Sequence, residues 1–263
     1  MAIELHTLDG GAGDGLPLVV IHGLLGSADN WRSHLRGWQQ VRRTLAVDLR
    51  NHGRSPHAEG MGYDAMADDV LATLDRLGIE RCHLLGHSMG GKVAMTLARE
   101  NPERVASLVV ADIAPVAYGH GHDAIFAALR AVEAVAPENR REVDGIMAEH
   151  VPERAVRLFL ATNLVRGEGA MRWRVGLDEI EADYEAIRGE PQGDAPYAGP
   201  SLVIRGSRSN YVTDAMLPAL REVLPEAALV TLEAGHWLHA EQPEAFQAAV
   251  NDFIARVEGA ARD

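Results

Sequence analysis

The residues with the clearest capacity for chemistry stand at Gly86-His87-Ser88-Met89-Gly90, directly after the apolar run Cys82-His83-Leu84-Leu85 and before a helical pattern starting near Lys92. A serine with glycine two residues before and two residues after it fits a strand-to-helix turn so tight that larger side chains at 86 and 90 would collide. Such a turn lifts the Ser88 hydroxyl clear of a sheet and sets it at a helix N-terminus, whose partial positive charge favours an adjacent anion. Ser88 is thereby the expected nucleophile. A hydroxyl attacks only when a base takes its proton, so a histidine must stand within hydrogen-bond reach. Of the 12 histidines, His236 is favoured because Ala234-Gly235-His236-Trp237 follows the last apolar run and precedes the final helical pattern. It also comes last in the chain order nucleophile, acid, base. His239 is the alternative.

Attack on an acyl carbon creates an oxyanion, and fixed hydrogen-bond donors aimed at it lower the barrier. Two backbone amides are expected to serve: Met89, next to the nucleophile, and Leu24 in His22-Gly23-Leu24-Leu25-Gly26-Ser27, the loop leaving the run Leu18-Val19-Val20-Ile21. His22 and His87 lie inside these motifs, and structural or substrate-lining roles are expected for them. Tyr211 and Trp237 are further candidates to line the substrate. The acid that orients His236 has two plausible positions. The loop Arg205-Gly206-Ser207-Arg208-Ser209-Asn210-Tyr211-Val212-Thr213-Asp214 offers Ser209 where a carboxylate would be sought, and Asp214 further on, where it can cap a helix. The other is Asp112, directly after Leu108-Val109-Val110-Ala111. A carboxylate there is partly buried and needs a partner such as an imidazolium, so Asp112 is preferred over Asp214. Asp48 precedes Ser88 and is expected to shape its own loop.

These groups need a scaffold. At 263 residues and 47% apolar composition one large domain is expected, and with only 5% aromatics its core must come mainly from Ala, Val, Leu and Ile. Short apolar runs at Leu18 to Ile21, Thr44 to Val47, Cys82 to Leu85, Leu108 to Ala111, Leu202 to Ile204 and Leu229 to Leu232 read as buried strands. Helical patterns at Tyr63 to Leu77, Lys92 to Glu100 and Pro243 to Val257 alternate with them, which predicts a mainly parallel sheet with helices on both faces. In such a sheet functional groups gather beyond the C-terminal strand ends, where every motif above falls. Residues 116–196 break the alternation: Asp123 to Ala134, Arg140 to His150, Pro152 to Asn163 and Leu177 to Ile187 carry helical periodicity with no convincing strand. A helical cap over 116–196, inserted into a core of 1–115 and 197–263, is expected, with plain crossover helices as the alternative.

Charge and composition exclude other classes. A net charge of −13 argues against a nucleic-acid partner. No apolar run approaches the length of a membrane span, and Met1-Ala2-Ile3-Glu4-Leu5-His6 lacks a secretory start. Cys82 is the single cysteine, so no internal disulfide is possible; it reads as a buried strand residue. A cytoplasmic protein, monomer or homodimer, is expected. No H-E-x-x-H or Cys/His ligand spacing occurs, so neither a metal nor another cofactor is expected.

Taken together, His22-Gly-Leu-Leu-Gly-Ser27, Asp48-Leu-Arg-Asn-His-Gly-Arg-Ser55, Gly86-His-Ser-Met-Gly-Gly-Lys92, Asp112-Ile-Ala-Pro115 and Gly235-His-Trp-Leu-His-Ala240 resemble the YbfF-type esterases of bacteria and their mitochondrial relatives. The resemblance spans nearly the whole chain. It implies the α/β-hydrolase fold with a helical cap and a small-molecule acyl ester or acyl thioester as substrate. It further implies that Asp112 carries the acid and that Ser209 joins the site as a fourth member. A carbon-carbon bond hydrolase or lyase, a perhydrolase, and a non-catalytic binding protein of this fold are the competing readings.

Overall fold

The computed structural model describes residues 2–260; Met1, first residue of the N-terminal stretch read above, and residues 261–263, the end of the expected core, lie outside the described residues. Six apolar runs form the parallel part of a seven-stranded sheet: β2 (Leu18–Ile21), β3 (Thr44–Val47), β4 (Cys82–His87), β5 (Val105–Ala111), β8 (Ser201–Gly206) and β9 (Ala227–Leu232). An edge strand that the sequence reading missed, β1 (Thr7–Gly10), pairs antiparallel with β3 and completes the order β1-β3-β2-β4-β5-β8-β9. Its side chains are half-buried or exposed, so no apolar run marks it.

Side chains alternate across a strand, and here both faces are covered. On one face Val19, Ile21, Leu84, Leu108 and Val110 pack against helices α2 (Tyr63–Arg76) and α3 (Met89–Glu100). On the other, Leu18, Val20, Leu85, Val109 and Ala111 pack against α1 (Arg32–Trp38) and α11 (Pro243–Ala260). Between β5 and β8 the chain forms α4 (Asp123–Val135), α5 (Arg140–Ala148), α6 (Arg154–Leu160), α7 (Leu177–Ala182) and α8 (Tyr184–Arg188). The helix expected over Leu177 to Ile187 is thus two, broken at Asp183. The expectation of no strand in 116–196 is corrected: β6 (Leu164–Arg166) and β7 (Met171–Trp173) form an antiparallel hairpin across a Gly-containing turn. Only three residues long each, they lack the length that makes periodicity readable. After β8, α9 (Leu217–Val223) leads to β9, and α10 (Leu238–Glu241) precedes α11.

Four histidines are built into this frame as neutral rings. His22 Nε2 accepts from Leu49 N–H at 3.0 Å while Nδ1 meets the Gly23 carbonyl at 2.7 Å, and His52 Nε2 accepts from Leu25 N–H at 3.0 Å while Nδ1 meets the Arg50 carbonyl at 2.8 Å. The buried ring of His87 reaches the His236 carbonyl, and His239 stacks on Trp31 with centroids 4.5 Å apart. Burial holds His52 down to about 3, with His22 adding to it, and burial holds His239 down to about 3, with His34 and His236 adding to it. An unfolded chain titrates these groups near their ordinary 6.5, so it binds protons that the folded chain refuses. The stabilisation is therefore whole above 6.5 and is lost progressively as pH falls toward 3. Melting curves taken between about pH 7.5 and about pH 5 are expected to show a falling Tm, with a shallower fall in His239→Phe; a Tm indifferent to pH over that window would contradict neutral burial.

Candidate active site

The site forms because adjacent strands end in step. In the parallel register His87 of β4 lies beside Ala111 of β5, and Ala111 beside Ile204 of β8. The next residue of β4 is Ser88 and that of β5 is Asp112, and both leave the sheet with left-handed backbone, φ 53° and 52°. Ser88 N–H donates to the Ala111 carbonyl at 2.9 Å and Asp112 N–H to the Ile204 carbonyl at 2.8 Å, so each departure is anchored on the neighbouring strand. Left-handed backbone costs a non-glycine residue about 1–2 kcal/mol, and both residues accept it one position past the sheet edge.

His236 comes from the loop between β9 and α10. Its Nε2 lies 3.0 Å from Ser88 Oγ and its Nδ1 2.8 Å from Asp112 Oδ2. Asp112 is wholly buried, and its carboxylate is fully partnered: Oδ1 accepts from Gly206 N–H at 2.9 Å, and Oδ2 accepts from the Ser209 hydroxyl as well as facing His236. Ser209 Oγ in turn accepts from Tyr211 N–H at 3.2 Å. The Tyr211 ring stacks on His236 with centroids 4.0 Å apart. Tyr118 ties the acid loop to this one, accepting from Ala114 N–H at 2.9 Å and donating to the Tyr211 carbonyl at 2.5 Å.

The two alternatives to these residues lie elsewhere. Asp214 is exposed and paired with Arg205 at 2.6 Å. His239 is buried among Trp31, His34 and Phe246. Asp48, also buried, accepts from Ala28 and Arg54 N–H at 2.7 and 2.9 Å and so shapes its own loop. Cys82 is buried in β4, where burial pushes its thiol up to about 12, so no thiolate is available there.

Above Ser88 the Leu24 loop closes onto the turn: a Cβ on Gly23 would approach Ser88 Cβ to 3.1 Å. Among the described residues, neither Leu24 nor Met89 N–H donates to a loop or turn carbonyl, so both amides remain available beside Ser88. His22 and His52 brace this loop from below through Leu49 and Leu25 N–H.

Two cavities meet at Ser88, sharing Leu24 and His122 as common walls. The larger, about 290 Å³, runs past Met89, Ile113, Tyr118, Tyr184 and Tyr211. The smaller, about 60 Å³, is walled by Ile125, Phe159, Leu160 and Trp237. Trp237 and Tyr211 therefore stand where substrate-lining residues were expected, and His87 touches the smaller cavity. His22 does not line either cavity: its ring nitrogens are spent on Leu49 and Gly23, and the expected substrate contact is corrected to loop support. Sequence reasoning missed His122, Tyr118 and Tyr184, which stand in or beside the inserted helices and carry no motif. His122 Nδ1 meets the Tyr184 hydroxyl at 2.7 Å.

Residues 17–243 match the family model described as the alpha/beta hydrolase fold. The sn-1-specific diacylglycerol lipase ABHD11 of Mus musculus is 40% identical, over 97% of this chain and 86% of its own length. The esterase YbfF of Escherichia coli K12 is 39% identical, over 90% of this chain and 92% of its own. Among solved structures, a marine microorganism esterase superposes with a TM-score of 0.92 at 38% identity, covering 96% of this chain and 100% of that one.

The turn that presents Ser88 depends on its glycines. A Cβ on Gly86 would lie 2.1 Å from the Gly90 carbonyl oxygen, and one on Gly90 2.4 Å from the His22 carbonyl oxygen. Both obstacles are backbone and cannot swing aside. Gly90→Ala is expected to lower stability by about 1–3 kcal/mol, read as a lower Tm; an unchanged Tm would show that the turn is looser than this geometry.

Proposed function

The chain belongs to the α/β-hydrolase family, and on that premise we propose that it hydrolyses carboxylic esters or acyl thioesters through an acyl-Ser88 intermediate. The observation that carries this reading is the unbroken hydrogen-bonded series from Ser88 Oγ through His236 to Asp112, at 3.0 and 2.8 Å. In it His236 Nε2 takes the Ser88 proton as Oγ attacks the acyl carbon, and the carbonyl electrons move onto oxygen. Leu24 and Met89 N–H receive the oxyanion; one such donor is worth roughly 3–4 kcal/mol of barrier. The intermediate collapses, the bond to the alcohol or thiol breaks, and His236 returns the proton to the leaving group. Water then enters, gives a proton to His236, and attacks the acyl-serine; as the second oxyanion collapses, the acyl–Oγ bond breaks and His236 returns the proton to Oγ, releasing the acid and restoring Ser88. Asp112 stabilises the imidazolium formed in each half, and Ser209, holding the same carboxylate oxygen, steadies it.

In this reading residues 116–196 act as a cap over a catalytic core of 1–115 and 197–263. The cap supplies His122, Phe159 and Tyr184 to the cavity walls. No helix among the described residues is long and apolar enough to cross a membrane. The lone buried Cys82 suits a reducing compartment, and we place the enzyme in the cytoplasm, acting on small acyl substrates as a monomer or homodimer.

A fluorophosphonate probe tests the assignment. Wild type is expected to be labelled stoichiometrically and Ser88→Ala not at all, with ester hydrolysis lost in parallel. Equal labelling of the two proteins would remove Ser88 from the chemistry.

A further inference from the structure

The two cavities at Ser88 are not equivalent. Among the described residues His236 lines the smaller one and not the larger. A substrate whose carbonyl carbon meets Ser88 Oγ sends its acyl chain into one cavity and its leaving group into the other, and the leaving oxygen must stand within reach of the ring that protonates it. That places the leaving oxygen on the side of the smaller cavity. The water of the second half-reaction gives its proton to the same ring and so enters the same place, where about 60 Å³ has room for more than one water.

His122 stands immediately before α4 and walls both cavities beside Ser88. Of the three histidines on the smaller cavity, His236 is the base and His87 Nε2 is spent on the His236 carbonyl at 2.9 Å. His122 Nε2 has no hydrogen-bond partner among the described residues and is not sealed in the interior, so it faces open cavity space. The other edge of the ring is fixed, with Nδ1 2.7 Å from the Tyr184 hydroxyl. The Gly121 amide donates to the Tyr184 oxygen at 3.4 Å and the His122 amide faces the same oxygen, which directs the hydroxyl proton to His122 Nδ1. A neutral ring that accepts at Nδ1 carries its own proton on Nε2. Burial, with His236 adding to it, holds this ring below its ordinary titration range, so it stays neutral when His236 becomes an imidazolium.

We propose that His122 is a further catalytic residue whose Nε2–H donates to the leaving oxygen of the substrate. As the acyl carbon–oxygen bond breaks, the bonding pair moves onto that oxygen, His236 Nε2 supplies its proton, and His122 keeps its own proton while stabilising the charge that develops. The same N–H then holds the water that gives its proton to His236. This rests on Ser88 and His236 in the roles proposed above and adds the group that meets the leaving oxygen. Such a donor contributes most when the leaving oxygen is strongly basic and least when its charge is already dispersed.

The test measures kcat/KM for the ethyl, 2-fluoroethyl, 2,2-difluoroethyl and 2,2,2-trifluoroethyl esters of butanoic acid, whose alcohols are close in size and fall in basicity. In His122→Phe the ratio of ethyl to trifluoroethyl ester is expected to fall about tenfold below that of wild type, the effect of one hydrogen bond to a charged group. Tyr184→Phe, which removes the hydroxyl that directs the proton to Nε2, is expected to shift the ratio the same way by less. His122→Gln, which keeps an N–H donor, is expected to restore most of it. Because each ratio is measured within one preparation, loss of folded enzyme cancels. An equal loss on all four esters in His122→Phe, or a ratio moved as far by Gln as by Phe, overturns the role of His122 while leaving ester hydrolysis intact. Absence of Ser88-dependent hydrolysis of any ester would instead strike the reading on which it rests.

Discussion

The contact on which the site depends is that between buried Asp112 and His236. A carboxylate with no exposed surface is tolerable only when each oxygen is partnered, and Asp112 draws its partners from two further strand ends: Gly206 closing β8 with Ser209 just beyond it, and His236 after β9. Satisfying that one group therefore fixes the relative position of three strand ends. Ser88 is brought into line by the same sheet, since it lies next to Asp112 in register and leaves the sheet with the same left-handed turn.

The second layer of support is a set of neutral histidines rather than a wider charge network. His22 and His52 hold the Leu24 loop, and His87 holds the backbone of His236 itself through its carbonyl at 2.9 Å. A ring that donates from one nitrogen and accepts at the other can bridge two backbone groups without carrying charge into the core. The abundance of histidine near the nucleophile thus reflects loop fixation, with His236 the ring that faces both a hydroxyl and a carboxylate.

Much of this was legible in the sequence. The parallel strands show as apolar runs because both of their faces are covered, and Asp112 stands out because a carboxylate directly follows four such residues. Gly86 and Gly90 are readable because the turn leaves their Cβ positions no room. What escaped has equally physical causes. Strand β1 lies at an edge with half-exposed side chains, and the β6–β7 hairpin is too short for a pattern. The cavity walls escaped because helical periodicity reports which face is buried, not which buried residue meets substrate. Which of the two roles expected of His22 it fills was not readable, because proximity to Ser88 in the fold does not reveal whether a ring's nitrogens are already engaged.

Asp112, 2.8 Å from Nδ1, and not the acid further along the β8 loop, is placed to orient His236. The most direct measurement is the steady-state kinetics of Asp112→Asn and Asp214→Asn on one ester that wild type hydrolyses. With the buried partner neutralised, Asp112→Asn is expected to lose about 10⁴-fold in kcat with KM little changed, while Asp214→Asn, which loses only an exposed pairing with Arg205, keeps the wild-type rate. The reverse ranking, with Asp112→Asn active and Asp214→Asn impaired, would contradict it.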